Sequence, residues 1–353
     1  MNKIIEQDLQ EILSVDYINW ERFRNKTVLI TGANGMLPAY LVFTLLYLNK
    51  IDNINVRVIA LVRNTEKAYK KFQDWLEDEH LQIIQQDVSN PIVIDKEVKI
   101  DYIIHAASQA SPKYYGIDPV GTINANVFGT VNTLDLACKH NVESYLYFST
   151  GDVYGIVDPE KFPFTEKDYG YVDPLSVHSC YNESKRMGEQ YCVAYHTQYG
   201  VNTKIARIFH TYGPGLLFDD CRVFADFVKN IVNDEDIILH SDGSAVRLFC
   251  YITDAIKAYF KILLDGEVAE AYNVANVNGE ISIRNLAEML VNMYPEKKLK
   301  LRIEILQGDL VTDKMKSTTL RAIPSIEKIN SLGWYPKISV AEGFRRTVDS
   351  FLV

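Results

Sequence analysis

The chain alternates short apolar runs with longer segments whose apolar residues recur at helical spacing. The first run, Lys26 to Thr31, leads through a glycine-containing turn into an apolar helix predicted from Pro38 to Leu48. The alternation continues with strands predicted at Asn55–Val62, Leu81–Gln86, Asp101–His105, Ser144–Ser149 and Asn202–Phe209, and with helices at Pro119–His140 and Cys180–Tyr199. Strands that alternate with helices pair in parallel through right-handed crossovers. The pattern therefore predicts an α/β fold built on a doubly wound parallel sheet.

The pattern becomes less regular after Pro214. Helices are predicted there at Val223–Asn233, Thr253–Leu264, Ile283–Tyr294 and Val340–Phe351, and strands at Ile237–His240, Ala271–Ala275 and Leu299–Leu306. Upstream of the first strand, apolar residues between Ile4 and Leu13 share one side of an amphipathic helix. We therefore expect an N-terminal helical extension (residues 1–25), a main domain (26–215) and a smaller lobe (216–353). The lobe covers a cleft, and some of its segments return to the main domain.

Composition and charge restrict the class of partner. The 353 residues carry a net charge of −9 and no basic tract, so neither nucleic acid nor an anionic membrane is an expected partner. No apolar run has transmembrane length, and the acidic residues between Met1 and Arg24 are unlike a signal peptide. The five cysteines form no CxxC pair and the seven histidines show no metal-ligand spacing. We expect a reduced, cytoplasmic protein without a metal site.

The turn after the first strand reads Thr31-Gly32-Ala33-Asn34-Gly35-Met36-Leu37. Gly32 permits a tight turn, Gly35 lets the backbone approach a pyrophosphate, and the following helix directs its N-terminus at the negative charge. An ordinary strand-to-helix turn is the alternative. The position after the first strand favours a dinucleotide site that includes Asn34 and Met36. Pro38 stands where the usual fingerprint has a third glycine.

Three later strand ends add candidate cofactor contacts. The second strand ends at Arg63, where an acidic residue would hold the ribose hydroxyls of NAD and an arginine suits the extra phosphate of NADP. A solvated surface arginine is the alternative, so the choice between NAD and NADP stays open. Asp87 and Val88 follow the third strand, where a carboxylate can reach an adenine amine. The fourth strand ends in small residues that leave room for a flat cofactor: Ala106, Ala107 and Ser108.

A tyrosine and a lysine four residues apart, Tyr181 and Lys185, fall on a predicted helix about thirty residues after Thr150. Residues at this spacing share a helix face, so the ammonium can favour the phenolate, and the Thr150 hydroxyl can hold a substrate oxygen opposite it. Such a set can remove a proton from an alcohol while a nicotinamide accepts the hydride. The spacing alone is weak evidence, because it recurs at Tyr294 and Lys298, where a proline intervenes.

In this order the motifs resemble the extended short-chain dehydrogenase/reductase superfamily and its nucleotide-sugar epimerases, dehydratases and decarboxylases. The resemblance runs from Lys26 to Leu352 and is strongest to UDP-glucuronate decarboxylases at Cys180-Tyr-Asn-Glu-Ser-Lys-Arg186, Asp220-Cys-Arg222 and Gly243-Ser-Ala-Val-Arg247. It implies a Rossmann-type dinucleotide-binding main domain, a substrate-binding smaller lobe, bound NAD, a nucleotide-diphosphate sugar as substrate and a homodimer. The dimer would form through the helices predicted at Pro119–His140 and Cys180–Tyr199.

The resemblance also implies roles for single residues. Thr150 would hold the C4 hydroxyl of the sugar, Tyr181 would remove its proton, and Lys185 would lower the tyrosine pKa and touch the nicotinamide ribose. Arg222 and Arg247 would clamp the nucleotide end of the substrate. The remaining candidates depart from the family pattern: His210 stands for an asparagine, Asp152 follows Gly151 where decarboxylases have Ser-Glu, and Arg321 lies in Arg-Ala-Ile-Pro instead of Arg-Lys-Pro.

The reaction that follows C4 oxidation stays open at this point. Gly151 supplies no acid, which speaks against conventional 4,6-dehydration, whereas decarboxylation and epimerisation ask less of the protein. The leading hypothesis is a nucleotide-sugar enzyme that oxidises C4 and then decarboxylates or epimerises the sugar. A 4,6-dehydratase or a 4-keto reductase is the enzymatic alternative. A NAD(P)-binding regulatory protein without turnover is the alternative from another class.

Overall fold

The computed structural model describes residues 1–305 and 322–353. The helices are α1 (Lys3–Leu13), α2 (Met36–Asp52), α3 (Thr65–Lys71), α4 (Pro119–His140), α5 (Ser179–Tyr199), α6 (Val223–Val232), α7 (Ile252–Asp265), α8 (Ile283–Met293), α9 (Glu327–Asn330) and α10 (Val340–Leu352). The strands are β1 (Thr27–Thr31), β2 (Arg57–Val62), β3 (Leu81–Gln85), β4 (Tyr102–His105), β5 (Ser144–Thr150), β6 (Thr203–Ile208), β7 (Thr211–Tyr212), β8 (Ile237–Leu239), β9 (Val246–Leu248), β10 (Cys250–Tyr251), β11 (Ala271–Val274), β12 (Glu280–Ser282) and β13 (Leu301–Ile303).

A seven-stranded sheet forms the centre of the molecule, in the order β11-β6-β5-β4-β1-β2-β3. All of its pairings are parallel, so the carboxyl ends of the strands meet at one edge. The chain reverses its direction of progress through the sheet between β1 and β4, and ligands of doubly wound sheets bind at such a reversal. The predicted fold class is confirmed.

Burial explains why these strands read as continuous apolar runs. Every residue of β1, β4 and β5 is buried, as expected for a sheet covered by helices on both faces. Helix α2 is buried without interruption from Pro38 to Leu48. A helix that is apolar on all sides needs cover beyond the sheet, and α1 and α7 pack against it.

The short elements were the ones that the pattern did not predict. Helix α3 was missed because Thr65–Lys71 carries one buried side chain, Ala68, and so lacks an apolar stripe. The pairs β7–β10 and β9–β12 were missed because strands of two or three residues show no alternation. Strand β13 ends at Ile303, before the predicted end at Leu306, which lies outside the described residues.

Beyond Pro214, helices α6 and α8 pack with the strand pairs β8–β13 and β9–β12, a group of elements called the second lobe below, while β11 adds to the edge of the central sheet beside β6. Trp334, which is fully buried, donates from its indole nitrogen to the carbonyl of Asp254 at 2.9 Å. The Asp254 carboxylate accepts from the backbone of Lys337 and Ile338, both at 2.8 Å. These bonds attach the late segment to α7 and thus to the sheet.

Helix α1 is fastened to the rest of the chain by a buried polar network. The Asp8 carboxylate is fully buried and accepts hydrogen bonds from Tyr40 at 3.0 Å and Tyr251 at 2.8 Å. Arg346 of α10 lies 3.1 Å from Asp8 and 2.7 Å from Glu11. Burial raises the Asp8 pKa to about 6, against the hydrogen bonds and the nearby guanidinium. The first and last helices are therefore held together by one ion-pair cluster.

Two further findings concern the described part of the chain. None of its helices is long and apolar enough to cross a membrane. No group of three or more histidine, cysteine, aspartate and glutamate side chains within residues 1–305 and 322–353 is placed to hold a metal ion.

Replacing Arg346 by methionine should lower the free energy of unfolding by about 3 kcal/mol, because the buried carboxylate of Asp8 would lose its charged partner. The neighbouring Arg345→Met is the matched control. Arg345 is half exposed and pairs with Glu342 at the surface, so its loss should cost about 0.5 kcal/mol or less. Urea unfolding of both variants measures the difference. Equal effects would show that the network does not fasten α1.

Candidate active site

A cleft of about 1450 Å³ opens at the carboxyl edge of the central sheet and is lined by residues that follow the strands together with residues of the second lobe. All but one of the residues predicted for the site line it: Gly32, Asn34, Gly35, Met36, Arg63, Asp87, Val88, Ala106, Ala107, Ser108, Thr150, Asp152, Tyr181, Lys185, His210, Arg222 and Arg247. Arg321 lies outside the described residues, and its neighbour Ala322 lines the cleft.

The turn between β1 and α2 forms the floor of one half of the cleft. Gly32 has a φ of +62°, and a Cβ there would stand 2.8 Å from the Cα of Ala107. Only glycine therefore fits at this position. Gly35 is the N-cap of α2, so the first backbone amides of that helix face the cleft. Pro38 is buried in the first turn of α2, where its missing amide hydrogen costs nothing.

The segment after β4 is held against this turn by Thr31. Its hydroxyl oxygen accepts from the amides of Ala106 and Ala107, each at 3.1 Å, and lies 2.8 Å from Nδ1 of His105. Ser108 follows with a buried hydroxyl that has no hydrogen-bond partner among the described residues. The glycine turn, the helix N-terminus and this unsatisfied hydroxyl fit the phosphates and ribose of a dinucleotide.

The catalytic candidates meet where β5 ends. Thr150 is the last residue of β5, and Tyr181 and Lys185 lie one turn apart on α5. The Lys185 ammonium donates to the carbonyl of Phe148 at 2.7 Å and stands 5.8 Å from the centre of the Tyr181 ring. The Thr150 hydroxyl is close enough to Tyr181 to act on its pKa. The three side chains therefore face one region of the cleft.

A single carboxylate fixes α5 against the sheet at this point. Glu189 of α5 accepts from the Ser149 hydroxyl of β5 at 2.5 Å and from Arg207 of β6 at 2.9 and 2.7 Å. Arg207 is almost fully buried and also donates to the Tyr154 hydroxyl at 2.9 Å. One helix is thus joined to two adjacent strands, two turns beyond Tyr181.

Burial dominates the ionisation of the tyrosine and the lysine. It raises the pKa of Tyr181, the Asp152 charge adds to the rise, and the Thr150 hydroxyl and Arg222 oppose it. Burial also lowers the pKa of Lys185 to about 7. Lys185 is not among the groups that shift the Tyr181 pKa here, so its expected effect on the tyrosine stays a prediction. The Lys185 amine is directed at the Phe148 carbonyl and is partly neutral near pH 7.

The four residues after Thr150 form a short 3-10 helix, Gly151–Tyr154. A Cβ on Gly151 would stand 2.7 Å from the ring of Phe209, so that ring fills the space a side chain would need. Asp152 reaches the open cleft but is otherwise surrounded by protein, which raises its pKa. Thr150 and two arginines of the second lobe oppose that rise.

The cationic end of the cleft comes from the second lobe. Arg222 caps the start of α6 and pairs with the Asp220 carboxylate at 2.5 Å. Arg247 lies on β9, and burial lowers its pKa while Asp152 raises it. His210 lines the cleft near both arginines. Burial and then the two guanidiniums lower its pKa to about 3, so its imidazole is neutral at pH 7.

A family model, the NAD dependent epimerase/dehydratase family, matches residues 28–275. The curated relative UDP-glucuronic acid decarboxylase 6 of Arabidopsis thaliana is 33% identical over 93% of this chain and 89% of its own length. UDP-glucuronic acid decarboxylase 1 of Xenopus tropicalis is 32% identical over 92% of this chain and 72% of its own length. The chain belongs to the NAD dependent epimerase/dehydratase family. The resemblance stated from the motifs is thereby confirmed.

Solved structures of this family share the fold. An epimerase of Methanothermobacter thermautotrophicus matches with a TM-score of 0.79 at 22% identity, covering 99% of this chain and 96% of that one. A UDP-glucuronic acid 4-epimerase of Bacillus cereus matches with a TM-score of 0.72 at 22% identity, covering 92% and 99%. At this identity the likeness shows the architecture alone.

Several lining residues of the family site escaped the sequence analysis. Tyr115 stacks on the ring of Tyr181, with ring centres 5.0 Å apart and planes 15° apart. Asn182 donates to the Asp152 carbonyl at 2.8 Å and so ties α5 to the 3-10 turn. No spacing signals either contact, because Tyr115 lies in an irregular loop. Its proline-rich surroundings predict only a turn.

The second tyrosine–lysine pair has no part in the cleft. Tyr294 directly follows α8 and donates to the Asp349 carboxylate of α10 at 2.8 Å. Lys298 follows a short 3-10 helix with a φ of +55°, so the two residues share no helix face. The intervening proline is the feature that separated this pair from the one in the site.

Replacing Lys185 by methionine should raise the free energy of unfolding of the cofactor-free protein. The increase should be larger at pH 6 than at pH 10. Lys185 has a folded-state pKa of about 7, below its ordinary 10.5, so the unfolded chain binds its proton more tightly between these values. The wild type therefore gains stability from this group as pH rises through that window, and the variant does not. Thermal unfolding between pH 6 and pH 10 measures the trend.

Lys204→Met is the matched control for this experiment. Lys204 is also buried, with a pKa lowered to about 8, but it donates to Ser144 at 2.7 Å at the opposite end of the sheet. Both variants should show the same pH trend in stability, whereas only Lys185→Met should weaken binding of the nicotinamide cofactor. A constant stability difference across the pH range would contradict the lowered pKa.

Proposed function

We propose that this protein modifies a nucleotide-linked sugar by oxidising it at C4 and then decarboxylating it, with a nicotinamide dinucleotide bound in the cleft. One observation carries the proposal: Thr150, Tyr181 and Lys185 face the same cleft as the glycine turn and the two arginines of the second lobe. The relatives named as UDP-glucuronic acid decarboxylases support the substrate class, a UDP-linked hexuronate.

The second lobe would hold the nucleotide end of the substrate. Arg222 and Arg247 present guanidinium donors, which match the oxygens of a diphosphate in pairs. Neutral His210 near them can donate one hydrogen bond and accept another, so it suits a uridine or ribose group. Binding here places the hexose toward Thr150 and Tyr181.

At the sugar end, the Thr150 hydroxyl would hold the C4 oxygen while Tyr181 takes its proton. The raised pKa of Tyr181 means that ionisation must be helped by charge brought with the ligands. A bound nicotinamide supplies hydride acceptance and return, together with a positive ring beside the phenol. Lys185 would hold the nicotinamide ribose through hydrogen bonds.

The space next to Thr150 limits what can follow oxidation. Phe209 fills the place of a side chain at Gly151, so the acid that assists 4,6-dehydration has no position there. Loss of carbon dioxide needs no such acid, because the C4 ketone accepts the electrons of the breaking bond. Epimerisation at C4 is the second candidate, because it needs only Thr150, Tyr181 and room for the sugar to turn.

We also propose a homodimer formed through α4 and α5. These helices pack against each other, and their outer faces leave apolar side chains exposed, namely Val120, Ile123, Phe128 and Met187. Two copies would cover these faces as a four-helix bundle.

We also propose that the protein is cytoplasmic, because its five cysteines are free.

Incubation with UDP-glucuronate should give a UDP-pentose and carbon dioxide. NMR of the sugar signals measures this conversion. A UDP-hexuronate of inverted C4 would instead support epimerisation. UDP-, dTDP-, CDP- and GDP-hexoses serve as the substrate panel. Failure to convert any of them by protein shown to hold the cofactor would refute the proposed function.

Tyr181→Phe should lower turnover about 100-fold or more, because the phenol oxygen that takes the C4 proton is removed. Tyr199→Phe, at the exposed end of the same helix, is the control and should leave turnover unchanged. Cofactor binding should persist in both variants. Full activity in Tyr181→Phe would assign the proton transfer to another group.

Ile123→Glu should convert the protein to a monomer, since a charge placed in the bundle would lose its hydration. Val268→Glu is matched to it, because both side chains are 40% exposed but Val268 lies outside α4 and α5. Sedimentation equilibrium reads the mass. A wild-type monomer at micromolar concentration would contradict the homodimer.

A further inference from the structure

The cleft has a cationic corner where β2 ends. Arg63, directly after β2, and Lys67, in the first turn of α3, both line the cleft together with Asn64. The position that holds a carboxylate in NAD-specific folds of this kind is occupied here by Arg63. The proposed sugar chemistry does not use these two cations, which lie at the adenosine end of the dinucleotide cleft.

Local structure presents both cations to the cleft. The Asn64 side chain accepts from the backbone amide of Lys67 at 2.9 Å, so α3 begins immediately after β2. Because of this cap, Arg63 and Lys67 are separated by a single turn of chain and lie on the same edge of the cleft, called the rim below. The Arg63 carbonyl accepts from Gln85 of the neighbouring strand at 3.4 Å, which holds the rim to the sheet.

Both side chains are available to a ligand. Neither Arg63 nor Lys67 forms a side-chain hydrogen bond or an ion pair with another residue of the described chain, and both are exposed. Arg63 acts on the Asp118 carboxylate only at longer range, after the hydrogen bonds from Gln109 and Gly121 that lower the Asp118 pKa. Arg222, by contrast, is already paired with Asp220.

We infer that Arg63 and Lys67 form a binding site for the 2′-phosphate of NADP, so that this protein binds NADP in preference to NAD. The inference rests on the proposed dinucleotide site and names its cofactor. A guanidinium and an ammonium match a dianionic phosphate, the first by paired hydrogen bonds and the second as a point charge. NAD offers only a hydroxyl there, and a ribose hydroxyl is better bound by a carboxylate.

Binding measurements on the full-length protein freed of cofactor test this directly. Isothermal titration should give a dissociation constant for NADP⁺ about tenfold or more below that for NAD⁺, since a charged hydrogen-bonded phosphate is gained. The fragments 2′,5′-ADP and 5′-AMP isolate the adenosine end, and 2′,5′-ADP should bind more tightly by a similar factor. Equal or tighter binding of NAD⁺ would overturn the inference.

Substitutions distinguish a specific contact of these two cations with the phosphate from a general effect of positive charge. Arg63→Gln and Lys67→Gln should each weaken NADP⁺ binding about tenfold and change NAD⁺ binding less than twofold, because only NADP carries the phosphate they contact. Arg57→Gln is the matched control, an exposed arginine at the opposite end of β2. Loss of affinity for both dinucleotides, with unchanged thermal unfolding, would contradict a role specific to the 2′-phosphate.

The outcomes distinguish this inference from the proposed function. Tight binding of NAD⁺ together with sugar conversion would refute the NADP assignment and leave the function standing. NADP⁺ preference without conversion of any sugar would do the reverse. Mass spectrometry of the nucleotide released by denaturing the purified protein gives an independent readout, and release of NAD alone would also overturn the inference.

Discussion

The attachment of α5 to the central sheet is the constraint on which the site depends. Glu189 joins the helix to β5 through Ser149 and to β6 through the buried Arg207. Two turns earlier, Lys185 reaches the carbonyl of Phe148 on the same strand. Because Thr150 ends that strand, these contacts set the distance between the threonine and the tyrosine. A shift of one residue between helix and strand would separate them.

Removal from water controls the charges of this site more than neighbouring charges do. Burial raises the pKa of Tyr181 and lowers the pKa values of Lys185 and His210. The protein thus keeps several of its reactive groups close to neutral and leaves its arginines charged at the mouth of the cleft. Charge supplied by a nucleotide substrate and its cofactor would then complete the electrostatic arrangement, which couples ionisation to binding.

The second lobe and the chain termini serve the same site indirectly. Arg222 and Arg247 come from the lobe, and the lobe is tied to the sheet through β11 and through Trp334 on Asp254. Helix α1 covers α2, whose N-terminus forms the dinucleotide turn, and Asp8 binds it to Arg346 of the last helix. The turn that would hold the cofactor therefore rests on a helix buried from both sides.

The sequence by itself determined the fold class, the glycine turn at Gly32 and the Tyr181–Lys185 pair. Each depends on local spacing, since strand and helix periods and a positive φ are properties of neighbouring residues. Tertiary structure alone decided that Phe209 occupies the space beside Gly151, that Tyr115 stacks on Tyr181, and that Lys67 joins Arg63 at one rim. It also decided that burial raises the pKa of Tyr181 and lowers that of Lys185, because burial depends on the whole packed molecule and cannot be read from residue spacing.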